Sequence, residues 1–224
     1  LVLVCCEQFI MLFLRFEAKI KKDAMENMLK QSITKEEIEK LPLFVYDGEI
    51  VVVEDEEQVD AIAESLRMNS LLGFDTETRP AFHKGEVYKV GLLQLATPEV
   101  VYLFRLNKCG FPTSLQSLLA DSSIIKIGVG IRDDIRNLRK QGDFMPASFV
   151  DLQEFAEKFG ILDKSFSKLM AIIFGVKISK RQRVTNWDAP QLSDAQIHYA
   201  ATDAWGALKM YQHLVAKKEK SGKL

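Results

Sequence analysis

The sequence predicts an α/β fold built around one mixed β-sheet. Three apolar segments, at 71–76, 87–96 and 100–104, follow one another with no helical segment between them, which is typical of antiparallel strands. Beyond residue 120, strand-like and helical segments alternate, which is typical of parallel βα units. A sheet that combines the two arrangements is expected to carry helices on both faces.

The other elements follow from periodicity and capping signals. Residues 49–54 form an edge strand, and residues 55–68 form an amphipathic helix with Asp55 at its N-cap. Turn-forming residues at 107–112 precede a helix at 114–120. The second half is predicted to contain strands at 124–129 and 148–151, and helices at 131–141, from 152 onward and from 193 onward. Three antiparallel strands followed by βα units is the order of a ribonuclease-H-like fold.

Length and composition fit one catalytic domain. The chain has 224 residues, of which 47% are hydrophobic and 27% are charged, so it can bury a substantial core. We expect the domain to span residues 49–216, after a lead-in at 25–48 and before a charged tail at 217–224. The three cysteines have neither disulfide nor zinc spacing, which favours a reducing, cytoplasmic location.

The first 24 residues form an apolar extension. Charged residues, Glu7 and Arg15 among them, interrupt it, so it falls short of a clean 20-residue membrane span. It has no basic region before its apolar stretch and no small-residue cleavage site, which argues against a secretory signal. We expect an extended gene model or a fragment, with Met25 or Met28 as the true start. A membrane anchor at residues 1–20 is the alternative, and no other membrane association is predicted.

Widely spaced acidic residues are the candidate functional groups. Asp75 and Glu77 follow the apolar run 71–74, and strand side chains two residues apart point to the same face. Tyr199 and Asp203 are four residues apart in a helical segment, so they share one helical face. If that face packs against the strand, the carboxylates of both elements come together.

A cluster of carboxylates is unfavourable unless a cation lies between them, because like charges raise one another's pKa. An oxygen-only ligand set selects hard divalent ions, and Mg²⁺ in particular binds carboxylates together with substrate phosphate oxygens. The pattern therefore predicts phosphoryl transfer to water, with divalent cations and no small-molecule cofactor.

Three segments of the chain resemble the three motifs of the DEDD superfamily of exonucleases. They are residues 74–78 (Phe-Asp-Thr-Glu-Thr), 126–134 (Lys-Ile-Gly-Val-Gly-Ile-Arg-Asp-Asp) and 196–204 (Gln-Ile-His-Tyr-Ala-Ala-Thr-Asp-Ala). The sequence is most similar to ribonuclease D and Werner-type 3′-5′ exonucleases, over residues 71–214. Werner-type proteins carry a tryptophan two residues beyond the second motif's aspartate. This chain has Arg136 there, so a stacking role of that ring is absent or altered.

The resemblance implies a role for each position. Asp75, Glu77 and Asp203 would hold the metal ion that binds the attacking water. Asp75 would also bridge to a second ion, which Asp134 would reach through water. Tyr199 would orient the attacking water. The implied enzyme hydrolyses DNA or RNA from its 3′ end with two divalent cations, Mg²⁺ or Mn²⁺.

Two positions leave an alternative open. His198 stands five residues before Asp203, and a sister group of these nucleases has its general-base histidine at that spacing. Five residues correspond to about 140° around a regular helix, whereas Tyr199 lies one turn from Asp203, so Tyr199 is favoured. In the second motif the resemblance places the ligand at Asp134. Asp133 is then a first-turn residue favoured by the helix dipole.

A short basic segment precedes the third motif. The formal net charge is −1, from 30 basic and 31 acidic residues, but nucleic-acid binding depends on local potential. Lys180, Arg181 and Arg183 cluster here, and Trp187 follows in a family-like stretch. We predict that these four contact the substrate strand. A solvated loop with a packed tryptophan is the alternative.

Two other functions remain open at this point. A catalytically silent nucleic-acid-binding module could keep the same fold, although every expected ligand is present. A metal-dependent nucleotide phosphohydrolase could use the same acidic cluster. Neither explains the flanks of the third motif as well as an exonuclease does, and the sequence predicts no stable protein partner.

Overall fold

The computed structural model describes residues 29–221. The predicted apolar extension at residues 1–24, with its alternatives of a gene-model artefact or a membrane anchor, lies outside the described residues. Among the described helices, none has both the length and the apolar composition needed to cross a membrane.

Six strands of the described chain form one mixed sheet. Its order is β1-β4-β3-β2-β5-β6. Strand β3 pairs antiparallel with both β2 and β4, whereas the pairs β1 with β4, β2 with β5 and β5 with β6 are parallel. The predicted mixed sheet is confirmed. The strands are β1 (Glu49–Val53), β2 (Leu71–Thr78), β3 (Val90–Ala96), β4 (Val100–Arg105), β5 (Ile125–Gly128) and β6 (Phe149–Asp151).

The helices agree with the predicted order from residue 49 onward, and a short helix at Lys35–Glu39 was not predicted. Asp55 caps the second helix by accepting a hydrogen bond from the Glu57 N–H at 3.1 Å, as predicted. Residues 107–109, part of the turn predicted at 107–112, belong to a short helix, and the chain turns afterwards at Gly110, where φ is 72°. The last helix runs to Ser221, so the first residues of the predicted tail are helical. The helices are α1 (Lys35–Glu39), α2 (Glu56–Leu66), α3 (Leu106–Cys109), α4 (Thr113–Ala120), α5 (Arg132–Leu138), α6 (Leu152–Phe155), a 3₁₀ helix (Ala156–Phe159), α7 (Phe166–Phe174) and α8 (Asp194–Ser221).

The residues of β2 face two different core layers. Leu72 and Phe74 pack with side chains of α2 and α4 on one face of the sheet. Gly73 faces the other layer, where a Cβ would collide with the main-chain carbonyl of Ala204 in α8. Because side chains alternate along a strand, residues 75 and 77 share the face of Gly73. The missing side chain at position 73 thus allows α8 to lie directly on the strand that carries the first motif.

The predicted lead-in contacts α8. The Tyr46 N–H donates to Thr202 Oγ1 at 3.0 Å, and the Phe44 ring stacks on Trp205 with centroids 5.7 Å apart. A parallel bridge joins Leu43 to Lys177. These contacts fix the outer side of α8 while its inner side packs on the sheet.

Candidate active site

The second half of β2 supplies two carboxylates that point at α8. One oxygen from each of Asp75, Glu77 and Asp203 lies within 4.8 Å of the other two. Glu77 is only 9% exposed and Asp203 only 8%. The convergence predicted from the two spacings is therefore present, in a site largely closed to bulk water.

Asp134 reaches the site from the start of α5. Strand β5 pairs with β2 only as far as Gly73, so the later part of β2 extends past it. The chain turns into α5 at Gly130, where φ is 74°, and the Gly130 N–H donates to Asp151 Oδ1 at 2.9 Å. The Asp134 carboxylate then accepts a hydrogen bond from the Thr76 hydroxyl. Asp134 lies beside the three converging carboxylates, outside their 4.8 Å group.

The neighbouring aspartate points elsewhere. Asp133 is exposed and forms an ion pair with Arg136, with 3.1 Å between nitrogen and oxygen. The negative charge of Asp134, by contrast, helps to raise the pKa of Asp75 and Glu77. This placement supports Asp134 as the acidic residue of the second motif.

Burial raises the pKa of all three converging carboxyl groups, and repulsion from neighbouring carboxylates adds to the rise for Asp75 and Glu77. Burial is the largest cause for each. It acts with the charge of Asp203 to raise the pKa of Asp75 well above its usual range and that of Glu77 to about 9. The pKa of Asp203 rises to about 7, although a hydrogen bond from Tyr199 opposes the rise. Without a cation these groups retain protons near neutral pH.

The donor set fits a hard divalent cation. All the converging groups are carboxylate oxygens, and Asp203 Oδ1 is buried without a hydrogen-bond partner. A buried polar atom without a partner is unfavourable in a folded protein. A divalent cation would both satisfy this oxygen and offset the repulsion that raises the pKa values.

Tyr199 and His198 face different surroundings. Tyr199 donates a hydrogen bond to Asp203, and its pKa is raised, first by burial and then by the charge of Asp203, so its hydroxyl stays protonated. His198 Nδ1 lies 2.9 Å from the main-chain oxygen of Tyr46, on the side of α8 that faces the lead-in. The structure therefore brings the tyrosine, and not the histidine, to the carboxylates.

The basic segment before α8 is divided between surface and core. Lys180, Arg181 and Arg183 are exposed, and the charge of Arg183 lowers the pKa of Glu77, which places Arg183 near the carboxylates. Trp187 is completely buried and packs against Tyr199 with ring centroids 6.2 Å apart. The prediction that Trp187 contacts substrate is corrected, because its ring lies in the core beneath the site.

A sequence model of the 3′-5′ exonuclease family matches residues 50–219. The chain belongs to the 3′-5′ exonuclease family. The predicted resemblance to the DEDD superfamily is thereby confirmed, and the carboxylate cluster occupies the two elements that carry its first and third motifs.

This chain is similar in sequence to named nucleases. It is 33% identical over 186 residues to the bifunctional 3′-5′ exonuclease/ATP-dependent helicase WRN of Mus musculus, covering 79% of this chain and 13% of that protein. It is 30% identical over 178 residues to ribonuclease D of Gluconacetobacter diazotrophicus, covering 78% and 44%. The chain thus spans less than half the length of either relative. The crystal structure of Escherichia coli RNase D matches with a TM-score of 0.69 at 24% identity, covering 80% of this chain and 47% of that one, which supports the ribonuclease-H-like fold.

Two features of the structure were not predicted from the sequence. Gln94 is a fully buried polar residue on β3, and its only sequence signal is one amide within an otherwise apolar strand. The second is a surface depression of about 350 Å³ on α5. It faces away from the carboxylates, because Asp134 lies about 160° around the helix from Arg132. Its lining residues are Arg132, Ile135, Arg136, Arg139 and Lys140.

The raised pKa values predict that the metal-free protein loses stability as pH rises. The carboxyl groups have pKa values near 4 in the unfolded chain, against about 7 for Asp203 and about 9 for Glu77 in the folded state. Between these limits the folded state binds more protons, so the free energy of unfolding falls with increasing pH. Urea denaturation in a chelator at pH 5, 6, 7 and 8 measures this fall.

Two controls accompany the pH series. Adding Mg²⁺ should raise stability more at pH 8 than at pH 5, because protons compete with the cation at low pH. Asp203→Asn should flatten the curve, since one of the shifted groups is gone. A wild-type stability that stays level or increases between pH 5 and 8 would contradict the prediction.

Proposed function

We propose that this chain is a metal-dependent 3′-5′ exonuclease that hydrolyses phosphodiester bonds at the 3′ end of DNA or RNA. The observation that carries the proposal is the convergence of Asp75, Glu77 and Asp203 within 4.8 Å, from two elements far apart in sequence. Because the chain belongs to the exonuclease family, phosphodiester hydrolysis is the most direct interpretation of this cluster.

The proposed metal ligands are the four carboxylates. Asp75, Glu77 and Asp203 would hold one cation, and Asp75 together with Asp134 would serve a second. Divalent cations bound in such a site would lower the pKa of a bound water. Their positive charge would also stabilise the negative charge that develops on the leaving 3′ oxygen. The oxygen-only donors are compatible with Mg²⁺ and Mn²⁺ alike.

Tyr199 would position the attacking water. Its raised pKa keeps the hydroxyl protonated, and its hydrogen bond to Asp203 fixes where the hydroxyl points. A protonated hydroxyl can donate to one group and accept from another. Tyr199 would therefore orient a water for attack without removing a proton from it.

The proposal extends to organisation and location. We infer a catalytic domain at residues 49–216, with a lead-in at 25–48, of which Phe44 and Tyr46 contact α8, and a charged tail at 217–224. The cysteine pattern supports a reducing, cytoplasmic environment. Nucleic acid 3′ ends are the proposed binding partners.

Degradation of end-labelled oligonucleotides tests the proposal. A single strand labelled at its 5′ end is incubated with the chain and Mg²⁺ or Mn²⁺, and we expect a ladder that shortens stepwise from the 3′ end. A chelator should stop the reaction, and matched RNA and DNA strands establish the sugar preference. An intact but bound strand would favour the silent module, and hydrolysis of free mononucleotides alone would favour the phosphohydrolase.

The exposed basic residues before α8 are proposed to contact substrate phosphates. We expect Lys180→Gln combined with Arg181→Gln to weaken binding of a single strand in a chelator. The slope of log affinity against log salt should fall by about 0.7 for each phosphate that the variant no longer neutralises. Fluorescence anisotropy over a salt series measures both quantities.

A charge-matched control is available on α5. Arg132→Gln combined with Arg139→Gln also removes two exposed positive charges, on the side of α5 that faces away from Asp134. We expect this variant to bind with nearly wild-type affinity and slope. Equal effects of the two double variants would show that net charge matters and that the segment before α8 makes no specific contact.

A further inference from the structure

Gln94 is a buried amide that the fold leaves without partners. Strand β3 is buried along its whole length, and Gln94 is 0% exposed within it. Neither Oε1 nor Nε2 of Gln94 has a hydrogen-bond partner. Buried amides without partners destabilise a folded protein, and each such group in a native structure calls for an explanation. A role that appears when the site is loaded would explain this one.

The sheet places Gln94 beside the first motif. Gln94 pairs directly with Asp75 in the antiparallel register of β2 and β3. Directly opposite residues in such a pair point to the same face, with Cβ atoms about 5 Å apart. The Gln94 side chain therefore shares the face of Asp75 and Glu77 and is long enough for its amide to reach the Asp75 carboxylate.

A neighbouring buried residue, by contrast, has hydrogen-bond partners for most of its polar side-chain atoms. Arg105 on β4 is also completely buried, and its Nη1 donates to Glu54 at 2.7 Å and to the Pro190 carbonyl at 3.0 Å. Its Nη2 donates to the Ala189 carbonyl. Of the Arg105 side-chain nitrogens only Nε lacks a partner, whereas neither polar atom of the Gln94 side chain has one.

The Asp75 carboxylate, once it binds a cation, would be the hydrogen-bond partner that the Gln94 amide lacks. An ionised carboxylate only accepts hydrogen bonds, and the oxygen that is not on a cation needs a donor. Groups that donate to ligating carboxylates orient them and are nearly as important as the ligands themselves. The Gln94 Nε2–H₂ group offers two donors at the required place.

We propose that Gln94 is a positioning residue whose side-chain amide donates to Asp75 and holds that carboxylate in its cation-binding orientation. This inference rests on the proposed function, because it concerns the same site. Gln94 touches neither substrate nor the reacting atoms and acts through Asp75 alone.

The test is cation affinity in the absence of substrate. Gln94→Met keeps the length and volume of the side chain but removes its donors. We expect isothermal titration of the whole chain with Mn²⁺ to show binding about 10 to 100 times weaker than wild type, the usual effect of losing an outer-sphere partner. The melting temperature in a chelator should be unchanged or higher, because an unpartnered amide has been replaced by an apolar group.

Gln141 provides a matched control. Its Nε2 is also buried without a partner, and it lies in the turn after α5. Gln141→Met should leave the Mn²⁺ affinity unchanged, whatever it does to the melting temperature. Loss of Mn²⁺ affinity at Gln94 alone therefore separates positioning of Asp75 from a general packing effect.

The possible outcomes distinguish failure of the inference from failure of the proposed function. Wild-type and Gln94→Met chains that bind Mn²⁺ equally well would overturn the inference and leave the proposed exonuclease intact, whereas a wild-type chain that binds no Mn²⁺ would overturn the proposed function itself. If Gln94→Met does not fold, the wild-type side-chain amide signal of Gln94 in ¹H–¹⁵N NMR spectra gives the answer. A shift of its proton resonances on adding Mg²⁺ supports the inference, and an unchanged signal overturns it.

Discussion

Asp203→Asn is expected to lower turnover by at least about a thousandfold, which corresponds to about 4 kcal/mol of transition-state stabilisation. Asp203 is the residue through which α8 meets the two carboxylates of β2, and its buried Oδ1 has no other partner. The amide of asparagine carries no charge to hold a cation. The metal-free variant should nevertheless be at least as stable as wild type, because one source of repulsion has been removed.

The measurement is the initial rate of strand shortening with saturating Mg²⁺, together with urea denaturation in a chelator. Asp133→Asn is the control, since it makes the same chemical change at an exposed aspartate paired with Arg136. We expect that variant to keep nearly all of its activity. An Asp203→Asn enzyme with more than a tenth of wild-type turnover would remove Asp203 from the proposed ligand set.

The second large effect is expected at Tyr199. Tyr199→Phe removes the hydroxyl that donates to Asp203 while leaving the ring packed against Trp187. Loss of a positioned group that handles the attacking water costs about a hundredfold or more in turnover. We therefore expect kcat to fall by about this factor, with little change in binding of the strand.

His198→Ala is the comparison that decides between the tyrosine and the histidine groups. His198 contacts the main-chain oxygen of Tyr46 and not the carboxylates. Its removal should cost about 1 kcal/mol of stability, because one hydrogen bond disappears, and change kcat by less than threefold. A larger drop in kcat for His198→Ala than for Tyr199→Phe would reassign the site to the histidine group.

Residue spacing in the sequence was sufficient to predict which side chains lie together within a single strand or helix. The period of two along β2 places Asp75 and Glu77 on one face, and the helical period places Tyr199 next to Asp203. The order of apolar segments likewise predicted the mixed sheet, because antiparallel neighbours and βα units have different connections. These relations are local in sequence, so they survive without knowledge of the tertiary structure.

Predictions were weaker where the answer depends on contacts between distant segments. The strand predicted to begin at residue 87 begins at Val90, after a loop in which Glu86 accepts hydrogen bonds from the N–H groups of Phe82 and His83. The burial of Trp187 depends on α8 and β3 meeting around it, and the pairing of Gln94 with Asp75 depends on the register between two strands. Neither relation leaves a periodic signal in the sequence.

Gly73 sets the spacing on which the whole cluster depends. Any side chain there would push α8 outward, because the Ala204 carbonyl occupies the space that a Cβ would need. Asp203 immediately precedes Ala204 in the chain, so it would move away from β2 together with that carbonyl. Cation binding by this domain therefore depends on the distance between α8 and the sheet. A single methyl group added at this buried position would weaken cation binding even though every carboxylate ligand is still present.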